Sequence, residues 1–82
     1  MATSDEVQTS LTKAVGVISK DETIDATYRM LYVTSGASAG SAATAAGKSC
    51  WVRTTIANSA ADQATEIVTA LTTPGPVDPN LV

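Results

Sequence analysis

Two segments rich in β-branched and aromatic residues, TYRMLYVT (27–34) and SCWVRTTIA (49–57), flank SGASAGSAATAAGK (35–48), a run made almost wholly of Ala, Ser and Gly. This arrangement limits what the chain can become more than any other feature. Small residues bury little apolar surface, so the run cannot supply a layer of a core. It predicts a long flexible loop, or an arm ordered only by contact with something else. The flanking segments then read as the two strands of a long-looped β-hairpin, over about 26–34 and 49–57. Strand side chains alternate between faces. Tyr28, Met30 and Tyr32 therefore share one face, with Leu31 and Val33 opposite. Cys50, Val52, Thr54 and Ile56 share a face of the second strand, and Trp51, Arg53 and Thr55 share the other. A strand apolar on both faces is expected at the centre of a sheet or in an interface.

Outside the hairpin the spacing changes. Ala60, Ala64, Ile67, Val68 and Leu71 recur with the helical period and predict a helix over about 60–72, with Gln63, Glu66 and Thr69 facing out. Ser59 with Asp62 suits its start, and Thr73-Pro74-Gly75-Pro76 its end. Near the N-terminus, Thr3 and Glu6 have capping-box spacing. Val7, Leu11, Ala14, Val15 and Ile18 then lie on one helical face, predicting a helix over about 4–15. A strand competes there, because Val7, Thr9, Leu11, Val15 and Val17 alternate and Gly16 weakens a helix. Ser19-Lys20-Asp21-Glu22 reads as a polar turn. The expectation is a small single α+β domain over 1–76, a hairpin packed with two helices and carrying a flexible loop at 35–48. An extended arm with apolar ends, Val77, Leu81 and Val82, follows at 77–82.

Composition narrows the chemistry. The 82 residues carry a net charge of −3, which argues against duplex DNA or an anionic membrane as main partner. The bases are scattered; only Arg29, Lys48 and Arg53 stand where the hairpin can gather them into a patch. There is no His, so Ser–His and Cys–His catalysis and most metal sites are excluded. The single cysteine, Cys50, alternates with Val52 and reads as a buried small hydrophobe. Ala42–Ser49 (AATAAGKS) approaches the phosphate-loop pattern, but Ala42 replaces its first Gly and the residues after Ser49 are poor helix formers. Asp21, Glu22 and Asp25 are too few and too widely spaced for a calcium loop and read as a solvated turn.

No catalytic, cofactor-binding or metal-binding residues are therefore expected, and no cofactor. The expected function is a non-catalytic structural or assembly protein, such as a small decoration, cement or minor capsid component of a phage-like particle. Its partners are then other protein subunits or copies of itself, with nucleic acid unfavoured and no membrane. The alternative is a cytosolic protein-binding module or small regulator using the hairpin face around Trp51. The expected interface residues are Tyr28, Tyr32, Trp51, Arg53, Val77, Leu81 and Val82. The N-terminal stretch MATSDEV lacks the basic and apolar regions of a signal peptide, so synthesis in the cytoplasm is expected, with a virion as a possible destination.

Overall fold

The computed structural model describes residues 2–39 and 48–72. They form α1 (Ser4–Ser10), β1 (Gly16–Thr23), β2 (Tyr28–Ser35), β3 (Ser49–Thr55) and α2 (Ala60–Thr72). The strands make one antiparallel sheet in the order β1-β2-β3. This is the expected small α+β architecture. The hairpin pairs as the alternation requires, with Leu31 opposite Val52, Tyr32 opposite Trp51 and Val33 opposite Cys50.

Both helices lie on the same side of the sheet. Leu31, Val33, Cys50 and Val52 point into a core closed by Val7 and Leu11 from the α1 end and by Ala64, Ile67, Ala70 and Leu71 from α2. Cys50 is buried, as its alternation with Val52 implies. The capping box forms at α1: Thr3 Oγ1 accepts from the Glu6 N–H at 3.2 Å, and Glu6 Oε1 accepts from the Thr3 N–H at 2.8 Å. At α2 the Asp62 N–H donates to Ser59 Oγ at 3.2 Å.

Three local readings are corrected. First, α1 ends at Ser10, and Leu11 is already extended at φ −96°, ψ 116°. Of the apolar stripe only Val7 lies in the helix; Leu11 reaches the core from the cap, and Val15 and Ile18 pack against it part-buried. Gly16, Val17 and Ile18 enter β1, where β2 supplies the hydrogen-bond partners. Second, Ser19–Glu22 is not a turn but the outer half of β1. Its polarity is that of an edge strand whose side chains are exposed. Third, Gln63 does not face out: it is fully buried, whereas Val68 is exposed. α2 turns its Gln63–Ile67 side inward and leaves Val68 in water.

The small-residue run is described only at its ends. Ser35 belongs to β2, and its N–H donates to the Lys48 carbonyl at 2.7 Å. The Gly36 N–H donates to the Val15 carbonyl at 2.8 Å, and the Ser38 N–H to the Ala14 carbonyl. The remainder of the expected loop, 40–47, lies outside the described residues, as do the arm at 77–82 and the domain limit at 76.

The two edges of the sheet differ. Along β1, the Gln8 side chain spans the outward backbone: its Oε1 accepts from the Ile18 N–H at 2.6 Å and its Nε2 donates to the Gly16 carbonyl at 3.1 Å. One amide bonding the C=O of residue i−1 and the N–H of residue i+1 is the pattern that a residue of a parallel strand makes. The register of β1 then slips between Ile18 and Lys20. β3 has no such interruption: its register runs without a break from Thr34–Ser49 to Tyr28–Thr55.

Candidate interaction face

With both helices on one side, the other face of the sheet carries no element above it among the described residues. Strand parity sends Tyr28, Met30 and Tyr32 of β2 and Trp51 and Arg53 of β3 to this face. Lys20 joins them from β1, opposite Tyr32. The groups form a continuous ridge. The Tyr32 and Trp51 rings stand 5.0 Å apart, tilted by 60°. The Arg53 guanidinium lies over the Tyr28 ring at 4.6 Å, and Lys20 Nζ over the Tyr32 ring at 5.3 Å. A tilted aromatic pair contributes about 0.5–1.5 kcal/mol beyond the area it buries. Each exposed cation–aromatic contact contributes about 0.5–1 kcal/mol. These contacts fix the side chains in place while leaving Trp51 and both tyrosines only half-buried. The ridge is thus preorganised, so ordering its side chains on contact costs little further entropy.

The expected interface residues Tyr28, Tyr32, Trp51 and Arg53 are brought together. Val77, Leu81 and Val82 lie outside the described residues. The basic patch of Arg29, Lys48 and Arg53 does not form. Arg29 has the parity of Leu31, so it points to the helix side and is buried, away from Arg53. There its Nη1 donates to the Ala2 carbonyl at 2.8 Å and to Gln63 Oε1 at 3.3 Å. Its Nε lies 3.4 Å from Asp21 Oδ1, an ion pair without the geometry of a hydrogen bond. Gln63 Oε1 also accepts from Thr54 Oγ1 at 2.9 Å, and its Nε2 donates to the Asn58 carbonyl at 2.9 Å. The signal for this polar cluster was present in the sequence, in the parity of Arg29 with Leu31 and the i,i+4 spacing of Gln63 and Ile67. The helix stripe that included Val68 obscured it.

The other candidate motifs resolve into structure. Ser49 opens β3, so a strand follows the Gly47-Lys48-Ser49 sequence where a phosphate loop needs a helix. Ala42–Gly47 lie outside the described residues. Asp21 pairs with Arg29, while Asp25 closes the β1–β2 turn by accepting from the Thr27 N–H at 2.7 Å and the Tyr28 N–H at 2.9 Å. Those two bonds, Tyr28 first, hold the Asp25 carboxyl below the usual carboxylate range. Among the described residues no three His, Cys, Asp or Glu side chains gather as metal ligands, and no helix is long and apolar enough to cross a membrane.

Comparison with known protein families, with curated proteins and with solved structures finds no match to this chain.

Proposed function

We propose that this chain is a non-catalytic structural protein that docks onto other protein subunits through the open face of its sheet. One observation carries the reading. All three aromatic residues of the sequence, Tyr28, Tyr32 and Trp51, stand on the sheet face opposite the two helices. In so small a domain such residues would normally be spent on the core. Here the core is built from aliphatic side chains instead. Tyr, Trp and Arg are the residue types enriched at the energetic centres of protein interfaces. A decoration, cement or minor capsid component of a phage-like particle is the member of this class that we favour: a small acidic chain that contributes one preorganised surface to an assembly of many copies.

The test is gradient sedimentation of the native source material with peptide detection of this chain in every fraction. Travel with megadalton particles through a salt wash supports the reading, and Trp51→Ala should then shift the chain to the top of the gradient while it remains folded. Wild-type chain confined to the top of the gradient counts against it. Salt-sensitive binding to single-stranded oligonucleotides, with Trp51 fluorescence quenched, would instead make the aromatic and cationic ridge a base-stacking platform.

A further inference from the structure

We infer that β3 is a self-association edge: two copies pair through it, antiparallel about a two-fold axis at Trp51, into one continuous six-stranded sheet. The inference rests on the assembly reading above and names the first partner as a second copy of this chain.

The hydrogen-bond parity of β3 is fixed at both ends. The Ile56 N–H donates to the Thr27 carbonyl at 2.9 Å, and the Lys48 carbonyl accepts from the Ser35 N–H at 2.7 Å. Lys48, Cys50, Val52, Thr54 and Ile56 therefore turn their backbone groups toward β2, and Ser49, Trp51, Arg53 and Thr55 turn theirs outward. The Thr55 N–H confirms this parity, because it donates to Glu66 Oε2 at 3.0 Å from the outer side. Glu66 thus closes one end of the edge. Among the described residues nothing meets the outward backbone groups of Trp51 and Arg53.

Sheet edges are ordinarily protected by a covering group, a bulge or charge. β1 has all three: the Gln8 bridge, the register slip after Ile18, and the consecutive charges Lys20, Asp21 and Glu22. β3 has an unbroken register and a single charged side chain, Arg53. One edge of the same sheet is defended three ways; among the described residues the other is covered only at its Thr55 end, by Glu66.

The open stretch is self-complementary. Ser49, Trp51 and Arg53 are consecutive outward positions centred on Trp51. A two-fold axis there sets Trp51 against Trp51 of the second copy and each Arg53 against the other's Ser49. All six outward positions pair, and neither Thr55, which Glu66 holds, is needed. Like charges directly opposite would be destabilising. This register keeps the two Arg53 positions four residues apart along the strands, about 14 Å. The axis stands normal to the sheet, so both aromatic ridges emerge on one side and both pairs of helices on the other.

The experiment is sedimentation equilibrium of the purified full chain from micromolar to millimolar concentration, alongside Arg53→Pro and Arg53→Ala. The chain is expected to move from its monomer mass of 8.3 kDa to twice that value. Arg53→Pro removes an outward N–H that β2 does not use, a position where an edge strand tolerates Pro. It should weaken the dimer by about tenfold or more, the loss of two interchain hydrogen bonds. Arg53→Ala keeps the N–H and should dimerise. Amide hydrogen exchange of the wild type needs no variant: the Trp51 and Arg53 amides should become protected as concentration rises. A chain monomeric throughout the range, or those amides equally protected at every concentration, overturns the inference; the second result places the chain's own residues or another ligand on the edge. A purified monomer that still travels with particles would remove only the edge pairing. A purified dimer that never joins particles would remove only the assembly reading.

Discussion

Gln63 is the side chain on which the buried polar groups converge. Its carbonyl oxygen serves both Arg29 and Thr54, while its amide nitrogen holds the Asn58 carbonyl ahead of α2. Gln63→Leu preserves much of the volume but strands these partners in the interior. It should lower unfolding stability by about 1–3 kcal/mol for each buried group left unpaired, read as a lower midpoint in urea at unchanged slope. Two surface carboxylates act through charge instead. The Thr3 backbone N–H and then its hydroxyl hold Glu6 below the usual range, as the Tyr28 and Thr27 amides hold Asp25. A carboxyl whose folded pKa lies below its unfolded pKa adds stability that is complete above the unfolded value. That stability is lost as pH falls through the folded one. Thermal melts should therefore decline as pH drops below about 4. Glu6→Gln together with Asp25→Asn should flatten that acid limb.

Gly36 shows how the elements are held in register. A Cβ there would stand 2.5 Å from the carbonyl oxygens of both Lys13 and Ala14, so the residue is needed for close backbone approach between the end of β2 and the turn before β1. Gly36→Ala should cost about 1–3 kcal/mol, since backbone rather than a yielding side chain stands in the way. Circular dichroism melts would report it as a lowered midpoint. Such contacts also explain what the sequence could and could not convey. α2 was legible to the residue, because its cap, apolar spacing and prolines all agree. β2 and β3 were legible because alternation and β-branched content agree. β1 was not: an exposed edge strand carries no apolar alternation, and Ser19–Glu22 has the composition of a turn. Its identity comes from pairing with β2, which is information held elsewhere in the chain. Parity put Tyr28 with Tyr32 and Trp51 with Arg53, and the register between β2 and β3 brings the two pairs onto one face. Gln63 was not legible, because the helical stripe can be drawn with Val68 or with Gln63, and only packing decides between them.

At the scale of the whole molecule, both helices lie on one side of the sheet and the core among the described residues is aliphatic, so the aromatics are not needed to fill it. Trp51→Ala should for that reason affect association more than folding: the half-buried ring loses one aromatic neighbour, whereas Leu31→Ala opens the fully buried core and should cost about 2–5 kcal/mol. Comparing the two variants by urea denaturation and by co-sedimentation separates the roles. The Gln8 bridge then has a meaning beyond its three hydrogen bonds, to Leu11, Gly16 and Ile18. In the pairing inferred above it helps, with the register slip and the charges of β1, to set the valence of the subunit. A sheet with one usable edge is monovalent, and monovalent units stop at pairs. With both edges usable the same subunit becomes divalent, and each pair can add another at either end without limit. Gln8→Ala strips one of the three protections from β1, and sedimentation should then show species larger than the dimer that the wild type does not form.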